Sequence, residues 1–501
     1  MKLSTLFAFL SFIFLTPGIN AQWIQKGNSI YGEYGGVKSG TSVSINSDGT
    51  VVAIGSPEHN GNGVDAGCVR IFEYSSGSWN QIGNNLDGEA AHDKFGYSVS
   101  LSSNGMRVAV GAPQNNGNGA YSGHVRIFEN QGGTWNQLGN DIDGEGANSW
   151  LGSGASVSLC GDGTTVAIGS PENDGNGNNS GHVRVYQYQS NSWTQVGNDL
   201  DGAAAEDRSG ESVSMNYQGT IVAIGAGYHD GFVSDAGHVR VYEYQGNSWS
   251  QLGSDIDGEL VNDLFGVSVG LDSAGTRLVS SAIWNDEYED DAGKVRVFSY
   301  NNGTWMQTGS GIFGTAADDW FGQRVSISDD GTTIAAGSYR SDANGTDAGL
   351  VKVFKLNGSS WTQIGMDLLG DNPDDFFGTA VNLNNDGSVL AAGASNNSHN
   401  GTQAGQVKVF EHNTSSVQNH QNESTLVIFP NPATSNEIHI ESKAKSIHNI
   451  AVYDIYGKCL FKKQGSSMHE IIRLNNLQPG TYVLSIQYSD QSMNRQMIEV
   501  F

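Results

Sequence analysis

One loop of the sequence carries a dense group of carboxylates that could bind a metal ion. Residues 284–293 read WNDEYEDDAG, and their acids are Asp286, Glu287, Glu289, Asp290 and Asp291. Carboxylate oxygens at this density suit Ca²⁺, a hard cation that takes oxygen ligands. The spacing fits neither the EF-hand loop nor the calcium-binding nonapeptide repeat, so a solvated acidic loop without a metal is the favoured alternative. No cofactor other than Ca²⁺ is suggested.

Three tryptophans stand outside the regular spacing of the others and are candidates for ligand contacts. Trp150 and Trp320 precede Leu-Gly and Phe-Gly dipeptides, and Trp284 opens the acidic loop. The other seven tryptophans recur once per repeat, and we expect them to pack between repeats. The architecture does not require the three additional indole rings, so we predict that these bind a ligand.

A basic residue and an aspartate also recur within the repeats. The basic position is filled by Arg70, Arg126, Arg184, Arg240, Arg296, Lys352 and Lys408. Seven cations in a ring could bind an anionic polysaccharide, but salt bridges between repeats fit the acidic surroundings better. The recurring aspartates are Asp93, Asp207, Asp263, Asp319 and Asp375. Each stands three residues before a Gly, where we expect it to cap a turn.

Little in the sequence indicates catalysis. There is no Gly-x-Ser-x-Gly, His-Glu-x-x-His or P-loop motif. His124, His182 and His238 share one repeat position with Cys68, Lys294, Leu350 and Gln406. Such variety is typical of a surface or rim position rather than of a catalytic base. We therefore predict that the protein is not an enzyme, although carboxylate pairs of the kind that glycosidases use cannot be located from sequence.

A single unit is repeated seven times through the middle of the chain. Trp-x-Gln-x-Gly begins at Trp23, Trp79, Trp135, Trp193, Trp249, Trp305 and Trp361, at intervals of 56, 56, 58, 56, 56 and 56 residues. Each unit carries four short apolar segments bounded by Gly, Asn and Asp turns, as a propeller blade does. The predicted fold class is all-β: a seven-bladed β-propeller over 22–411, followed by a small C-terminal β-sandwich.

The ends of the repeat array predict how the propeller closes. The last unit has only three strands, and the first Trp strand has no unit before it. Pairing Trp23–Gly27 beside Gly405–Glu411 would complete the seventh blade and remove an open sheet edge. We therefore expect a closed, monomeric propeller.

Composition and the N-terminus indicate where the protein works. Residues 1–21 have a basic start, an apolar run and a plausible cleavage site after Ala21, which together predict an export signal. No later run reaches the roughly 20 apolar residues of a membrane helix. The formal net charge of −27 argues against a nucleic-acid partner. The three cysteines, Cys68, Cys160 and Cys459, are too few and too far apart for a disulfide scaffold.

The C-terminal part differs in composition from the repeats. Residues 412–425 are polar and are predicted to form a linker, and 413–501 hold seven acidic and seven basic residues, so the whole excess charge lies earlier. Residues 426–501 show short alternating strands with characteristic dipeptides between them. The residues that carry a family likeness include Pro430, Asn431, Pro432, Pro479, Gly480 and Tyr482. This segment resembles the C-terminal sorting domain of type IX secretion substrates in Bacteroidetes. The resemblance implies that the type IX secretion machinery is a partner and that the protein is released or attached at the cell surface.

The repeats also resemble a known family. Phe95-Gly96, followed by Gly111-Ala112-Pro113, is similar to the FG-GAP repeat, the blade unit of integrin-α-like propellers. Integrin-type blades often hold calcium between these two strands, where this chain has only a tight turn such as Ser102-Ser103-Asn104-Gly105. The departure argues against calcium at that point and weakens adhesion as an inference from the fold.

Together these observations predict an extracellular or surface binding and cell-adhesion protein whose variable loops contact a glycan or a protein. Two alternatives stay open. One is a polysaccharide-active hydrolase or lyase that uses carboxylates near the propeller axis, and the other is a passive surface scaffold.

Overall fold

The computed structural model describes residues 22–151, 156–413, 426–429, 437–442, 445–453, 458–474, 477–478, 480–489 and 493–500. The predicted signal segment, most of the predicted linker, and Pro430, Asn431, Pro432 and Pro479 lie outside these residues. The chain divides into two compact units, 1–414 and 415–501. Within the described ranges all regular elements are strands, and none is a helix that could cross a membrane.

The first unit consists of seven antiparallel sheets, which we number as blades 1 to 7 by their inner strands. The inner strands are Ser42–Ile45, Ser98–Leu101, Val157–Leu159, Ser212–Met215, Val269–Leu271, Arg324–Ile327 and Phe377–Leu383. The second strands are Val51–Ser56, Arg107–Ala112, Thr165–Ser170, Ile221–Ala226, Arg277–Ala282, Thr333–Ser338 and Val389–Ala394. Most second strands are buried along their whole length, as their small apolar residues predict.

Three further strands complete each blade. The third strands are Cys68–Ser75, His124–Gln131, His182–Gln189, His238–Gln245, Lys294–Asn301, Leu350–Asn357 and Gln406–Asn413. The outer strands, in blade order, are Ser78–Gln81, Thr134–Gln137, Ser192–Gln195, Ser248–Gln251, Thr304–Gln307, Ser360–Gln363 and Gln22–Gln25. Short fifth strands pair with the start of each third strand: Leu86–Asp87, Ile142–Asp143, Leu200–Asp201, Ile256–Asp257, Ile312–Phe313, Leu368–Leu369 and Ile30–Tyr31.

The first strand of the chain closes the propeller, which confirms the predicted pairing. Gln22–Gln25 is the outer strand of blade 7 and pairs antiparallel with the third strand, with Trp23 opposite His412. Ile30–Tyr31 pairs with Val407 and Gln406 at the other end of that third strand. The two ends of the repeat array therefore share one sheet, which leaves no open edge between blade 7 and blade 1.

The recurring tryptophans join neighbouring blades. In every blade the Trp Nε1 donates a hydrogen bond to a backbone carbonyl of the preceding blade, for example Trp135 to Ile82 at 3.1 Å and Trp23 to Ile364 at 3.1 Å. The ring lies against the Gly of the preceding Trp-x-Gln-x-Gly motif. A Cβ on Gly83 would stand 2.9 Å from Cδ1 of Trp135. The motif is thus an inter-blade joint, as the structural interpretation of the series predicted.

Two closed rings of hydrogen bonds surround the axis. In one ring, a Ser or Asn side chain of each inner strand accepts a bond from a backbone N–H of the next blade, as Ser44 does from Leu101 and Asn382 does from Ile45. In the other ring, backbone bonds link the turns after the inner strands. Its seven residues are Ser47, Ser103, Gly161, Tyr217, Ser273, Asp329 and Asn385. Both rings rigidify the axial wall.

The second unit contains two sheets around one core. Leu426–Phe429, Glu437–Ser442 and His469–Arg473 form the first sheet, and Ile447–Tyr453, Cys459–Gln464, Gly480–Tyr488 and Met493–Val500 form the second. Isoleucines of both sheets pack in a common cluster, which includes Ile440, Ile472 and Ile450. Two sheets that share a core make the predicted β-sandwich. Tyr482 is buried here, and its hydroxyl donates to the carbonyl of Gln478 at 2.6 Å.

Candidate functional site

The loops between second and third strands all lie on one side of the propeller, which we call the loop face. They span residues 57–67, 113–123, 171–181, 227–237, 283–293, 339–349 and 395–405. An axial cavity of about 510 Å³ runs between the inner strands. Its wall includes Tyr97, Tyr339 and Phe376 at the loop-face end, and Asp272 and Asp329 at the other end.

Four aromatic side chains form a continuous group on the loop face, and two of them, Tyr339 and Phe376, line the cavity. Trp284 and Trp320 have ring centroids 5.9 Å apart, Trp320 and Tyr339 meet edge to face at 6.0 Å, and Tyr339 and Phe376 lie 5.2 Å apart. We call these four residues the aromatic arc. They come from consecutive segments of blades 5, 6 and 7. The structure thus brings together two of the three predicted ligand tryptophans beside the cavity.

Buried apolar residues pack against the arc, and one arginine contacts it. Leu264, Val267 and Ile283 are buried and pack with Trp284 and Trp320. The Arg340 guanidinium lies 4.0 Å from the ring centroid of Trp320, a cation–π contact. Among the described residues, neither indole Nε1 has a hydrogen-bond partner, although both are buried. Each unsatisfied buried donor costs stability.

The repeat itself shows that the arc is a departure from the common design. The position of Trp320 is filled elsewhere by Lys38, Lys94, Trp150, Arg208, Leu264 and Phe376. The position of Trp284 is filled by Glu58, Gln114, Glu172, Tyr228, Arg340 and Asn396. Around blade 1 these positions form ion pairs instead, with Lys94 3.5 Å and Lys38 3.3 Å from Glu58. The loop-face mouth is therefore aromatic on one side and charged on the other.

Trp150 lies away from the arc. Its ring stacks on Tyr121 at 5.7 Å, in the segment that enters blade 3. It occupies the repeat position of Trp320 but has a different set of neighbours. The three predicted ligand tryptophans are therefore not one constellation, and Tyr339, Phe376 and Arg340 were missed. Comparison of each position around the repeat would have identified these three by their departure from the residues of blades 1 and 2.

The acidic loop of blade 5 does not converge on one point. The side chains of Asp286, Glu287, Glu289 and Asp290 are exposed, and Asp291 is half-buried. Glu287 pairs with the ammonium of Lys294. Burial and the neighbouring acids Asp286, Asp290 and Asp318 raise the pKa of Asp291. Within the described residues, none of the groups in which three metal-ligating atoms meet includes these five acids.

Asp286 has a repeated role in holding its loop. Its Oδ1 accepts a hydrogen bond from the backbone N–H of Asp291 at 2.7 Å. The residue at this position makes the same contact in every other blade, as Asn116 does to Tyr121 and Asp174 does to Asn179. This bond holds a residue with positive φ at the end of each loop. At least one of the five acids is therefore explained by loop geometry without a metal.

Four of the seven recurring basic residues, and all five recurring aspartates, have the structural roles that the sequence favours. Arg126, Arg184, Arg296 and Lys408 pair across the seam with an acid of the preceding blade, and all are buried. Asp93 accepts from the backbone N–H of Ala90 at 2.9 Å, and the other four aspartates cap their turns in the same way.

The structure contradicts the surface or rim position that the sequence predicted for the three histidines. His124, His182 and His238 are only 1%, 2% and 1% exposed, so they are not at a surface or rim position. Cys68, Lys294, Leu350 and Gln406, which share the position, are buried as well. The position begins the third strand and lies in the seam between two blades. The residue types at this position differ because their partners across each seam differ, and not because the position is exposed to solvent.

One carboxylate of the axial cavity has an unusual environment. Burial, with a further contribution from Asp272 and then Asp330, raises the pKa of Asp329 to about 6. Asp272 itself accepts hydrogen bonds from the backbone N–H groups of Thr276 and Arg277 at 2.7 and 2.9 Å. Asp272 is therefore occupied in stabilising its own turn, whereas Asp329 is the acid with a raised pKa at this end of the cavity.

Comparison with known proteins agrees with this architecture. Residues 427–500 match the secretion system C-terminal sorting domain, and residues 87–128 and 314–354 match the FG-GAP repeat. The chain thus carries FG-GAP repeats and a type IX sorting domain, which indicates export to the extracellular or cell-surface space. No curated protein matches the chain.

Similar solved structures are distant. A protein described as a 6-phosphogluconolactonase of Bacteroides uniformis shares 15% identity over 67% of this chain and 86% of its own, with a TM-score of 0.46. The periplasmic gluconolactonase PpgL of Pseudomonas aeruginosa shares 15% over 66% and 84%, with a TM-score of 0.45. The Dos1 propeller shares 14% over 78% and 95%, with a TM-score of 0.39. Likeness at this level says nothing of activity.

Proposed function

We propose that this exported propeller is a binding protein that takes a glycan at the aromatic arc. The observation that carries the proposal is the chain of ring contacts that joins Trp284 and Trp320 to Tyr339 and Phe376, two residues of the axial cavity wall. Ligand sites are typically concave and aromatic, with a few polar groups that fix orientation. The exported location supplies an environment in which polysaccharides are available.

The chemistry of the arc suits a sugar ring. The C–H groups on one face of a pyranose carry partial positive charge and are attracted to the negative face of an aromatic ring. The Arg340 guanidinium supplies several N–H donors for hydroxyl or carboxylate oxygens. The closed ring of blades holds these side chains in place, so little conformational entropy is lost on binding.

The enzyme alternative has one supporting observation, the perturbed Asp329. A glycosidase needs two carboxylates with separate roles. Asp272 is occupied by backbone N–H groups of its own turn, so it is a poor partner in such a pair. The binding proposal is therefore the better supported of the two. The passive-scaffold alternative leaves the grouping of the arc without a role.

The test compares three variants of the mature chain in binding to a panel of polysaccharides. Trp320→Lys and Trp284→Gln install residues that the repeat itself uses, at Lys94 and Gln114, so we expect both variants to fold. Trp150→Lys is the matched control, because it makes the same change at the same repeat position outside the arc. We expect the first two to weaken binding at least about tenfold, or about 1.4 kcal/mol, and the control to bind like the wild type.

The same binding assay distinguishes the glycan proposal from its alternatives. Released oligosaccharides in the supernatant would favour the enzyme. Unchanged binding in Trp320→Lys and Trp284→Gln would show that the ligand site lies elsewhere. A wild-type chain that binds no polysaccharide would contradict the glycan proposal.

A further inference from the structure

The seam between blades 1 and 2 gathers three ligand groups from separate parts of the chain. Glu89 follows the fifth strand of blade 1, His124 begins the third strand of blade 2, and Asp141 precedes the fifth strand of blade 2. Their ligand atoms lie within 4.8 Å of one another. These three residues belong to blades 1 and 2, whereas the aromatic arc comes from blades 5, 6 and 7.

The distances fit a shared cation better than direct bonds. His124 Nδ1 lies 3.9 Å from Glu89 Oε2 and 3.8 Å from Asp141 Oδ2. Both separations are too long for hydrogen bonds. Ligands bound to one tetrahedral zinc ion at about 2.0–2.2 Å stand roughly 3.3–3.6 Å apart. Small side-chain rotations would therefore bring the three atoms to coordinating positions.

The surroundings of His124 suit a metal ligand. Its side chain is 1% exposed, and its Nδ1 is the ring nitrogen that faces both carboxylates, beyond hydrogen-bond distance of each. The side chains of Glu89 and Asp141 are 48% and 29% exposed, which gives a metal ion a path from solvent.

Other seams show that these carboxylates are normally neutralised by a cation of the chain. In blade 5, Lys294 replaces the histidine, and its ammonium contacts Glu259 at 2.5 Å. In blade 3, the Arg184 guanidinium contacts both Glu145 and Asp199. In blade 2, Arg126 pairs with Glu89 at 3.4 Å and donates to the carbonyl of Asp87 at 2.9 Å. Within the described part of the chain no Lys or Arg forms an ion pair with Asp141.

We propose that Glu89, His124 and Asp141 bind one zinc-like divalent cation, which takes the place that Lys294 fills in blade 5. Imidazole with two carboxylates is a ligand set that Zn²⁺ accepts, and a water molecule would complete its coordination. The site joins two blades, so the bound ion stabilises their seam. This inference is independent of the proposed glycan site.

The neighbouring seams are poorer sites for the same ion. In blade 4, Ala203 stands at the position of Glu89, and the Arg240 guanidinium holds Asp255 at 3.0 Å. In blade 1, His59 is already satisfied. Its Nε2 donates to Glu33 at 2.9 Å, and its Nδ1 accepts from the backbone N–H of Gly61 at 3.1 Å.

The experiment titrates the EDTA-treated mature chain with Zn²⁺ by calorimetry and follows Co²⁺ binding by visible absorption. The main variant is His124→Leu, which the fold accommodates because Leu350 occupies the same position at 2% exposure. The matched control is His182→Leu, which makes the same change in the seam that Arg184 already neutralises. A second variant, Asp141→Asn, changes one ligand and keeps its shape.

We expect His124→Leu to lose one bound Zn²⁺, or to bind it at least about 100-fold more weakly. Asp141→Asn should weaken the same site at least about tenfold, and His182→Leu should leave it unchanged. Zinc binding that is unaltered in His124→Leu would overturn the proposal. So would a loss of equal size in His182→Leu.

Discussion

At the residue scale, the buried histidines make this propeller sensitive to acid. Burial and the charges of His229 and Arg240 lower the pKa of His238 to about 3, while Asp255 and Asp207 act in the opposite direction. A histidine with a folded pKa below its unfolded value takes up a proton on unfolding. In the unfolded chain the histidine has a pKa of about 6.5, so it takes up a proton below that pH while the folded form stays neutral. The free energy of unfolding is therefore full above about pH 6.5 and decreases as the pH falls below that value.

His238→Gln should reduce this acid sensitivity. Gln406 stands at the equivalent position of blade 7 at 1% exposure, so the fold accepts the residue. We expect the free energy of unfolding to fall less between about pH 7 and pH 5 in the variant, by at most about 1.4 kcal/mol per pH unit. Urea unfolding at both pH values measures the difference. An equal fall in His238→Gln and in His92→Gln, a control at an exposed histidine, would refute this assignment.

At the element scale, the Trp-x-Gln-x-Gly motif joins each blade to the next. Gly83 has φ of +76°, and a Cβ there would meet Cδ1 of Trp135 and the carbonyl oxygen of Gly133, both at 2.9 Å. Gly77 has a similar φ of +83°, with nothing within 4 Å of its Cβ position. The two glycines therefore separate backbone strain from a clash at the inter-blade joint.

Gly83→Ala should destabilise the propeller more than Gly77→Ala does. Both changes place Ala in the left-handed region, at about 1–2 kcal/mol. Only Gly83→Ala also displaces the Trp135 ring, which adds about 1–3 kcal/mol. Denaturant unfolding of the two variants measures the difference. Equal losses of stability would mean that the Trp135 ring adapts without cost.

Much of the element scale could be predicted from the sequence, because each repeat carries its own turns and its own Trp joint. The limits of the strands were less clear. The alternation of Tyr97, Val99 and Leu101 predicts that Tyr97 lies on the packing face of an inner strand, but the strand begins at Ser98, and Tyr97 is 39% exposed in the cavity wall. A local alternation of apolar residues cannot show where the neighbouring blade stops covering it.

The site was only partly predictable, because its contacts cross blades. Trp284 and Trp320 are distant in sequence, and their contact depends on how one blade's loop meets the next blade's entry segment. The same reason explains the error at His124. Its environment is set by Glu89 of the preceding blade, which a comparison of repeats at a single position does not include.

At the scale of the whole molecule, closure makes the first strand part of the last blade. Without residues 22–27, the third strand Gln406–Asn413 would present an unpaired edge, and His412 and its neighbours would lose their partners. Unpaired edges promote association with other chains.

A mature chain that lacks residues 22–27 should therefore self-associate and unfold at a lower temperature than the intact mature chain. Light scattering after size exclusion and a thermal scan measure the two effects. A chain that ends at residue 413 is the control, since it removes the second unit and keeps the closing strand. If the N-terminal truncation stayed monomeric with an unchanged unfolding temperature, closure would not depend on that strand.

A crystal structure of the mature chain with the tightest-binding oligosaccharide decides whether the aromatic arc binds a sugar. We expect an intact sugar ring stacked on Trp284 or Trp320 beside the axial cavity, with Arg340 within hydrogen-bond distance of its oxygens. A sugar bound on another surface, or a cleaved product beside Asp329, would contradict it.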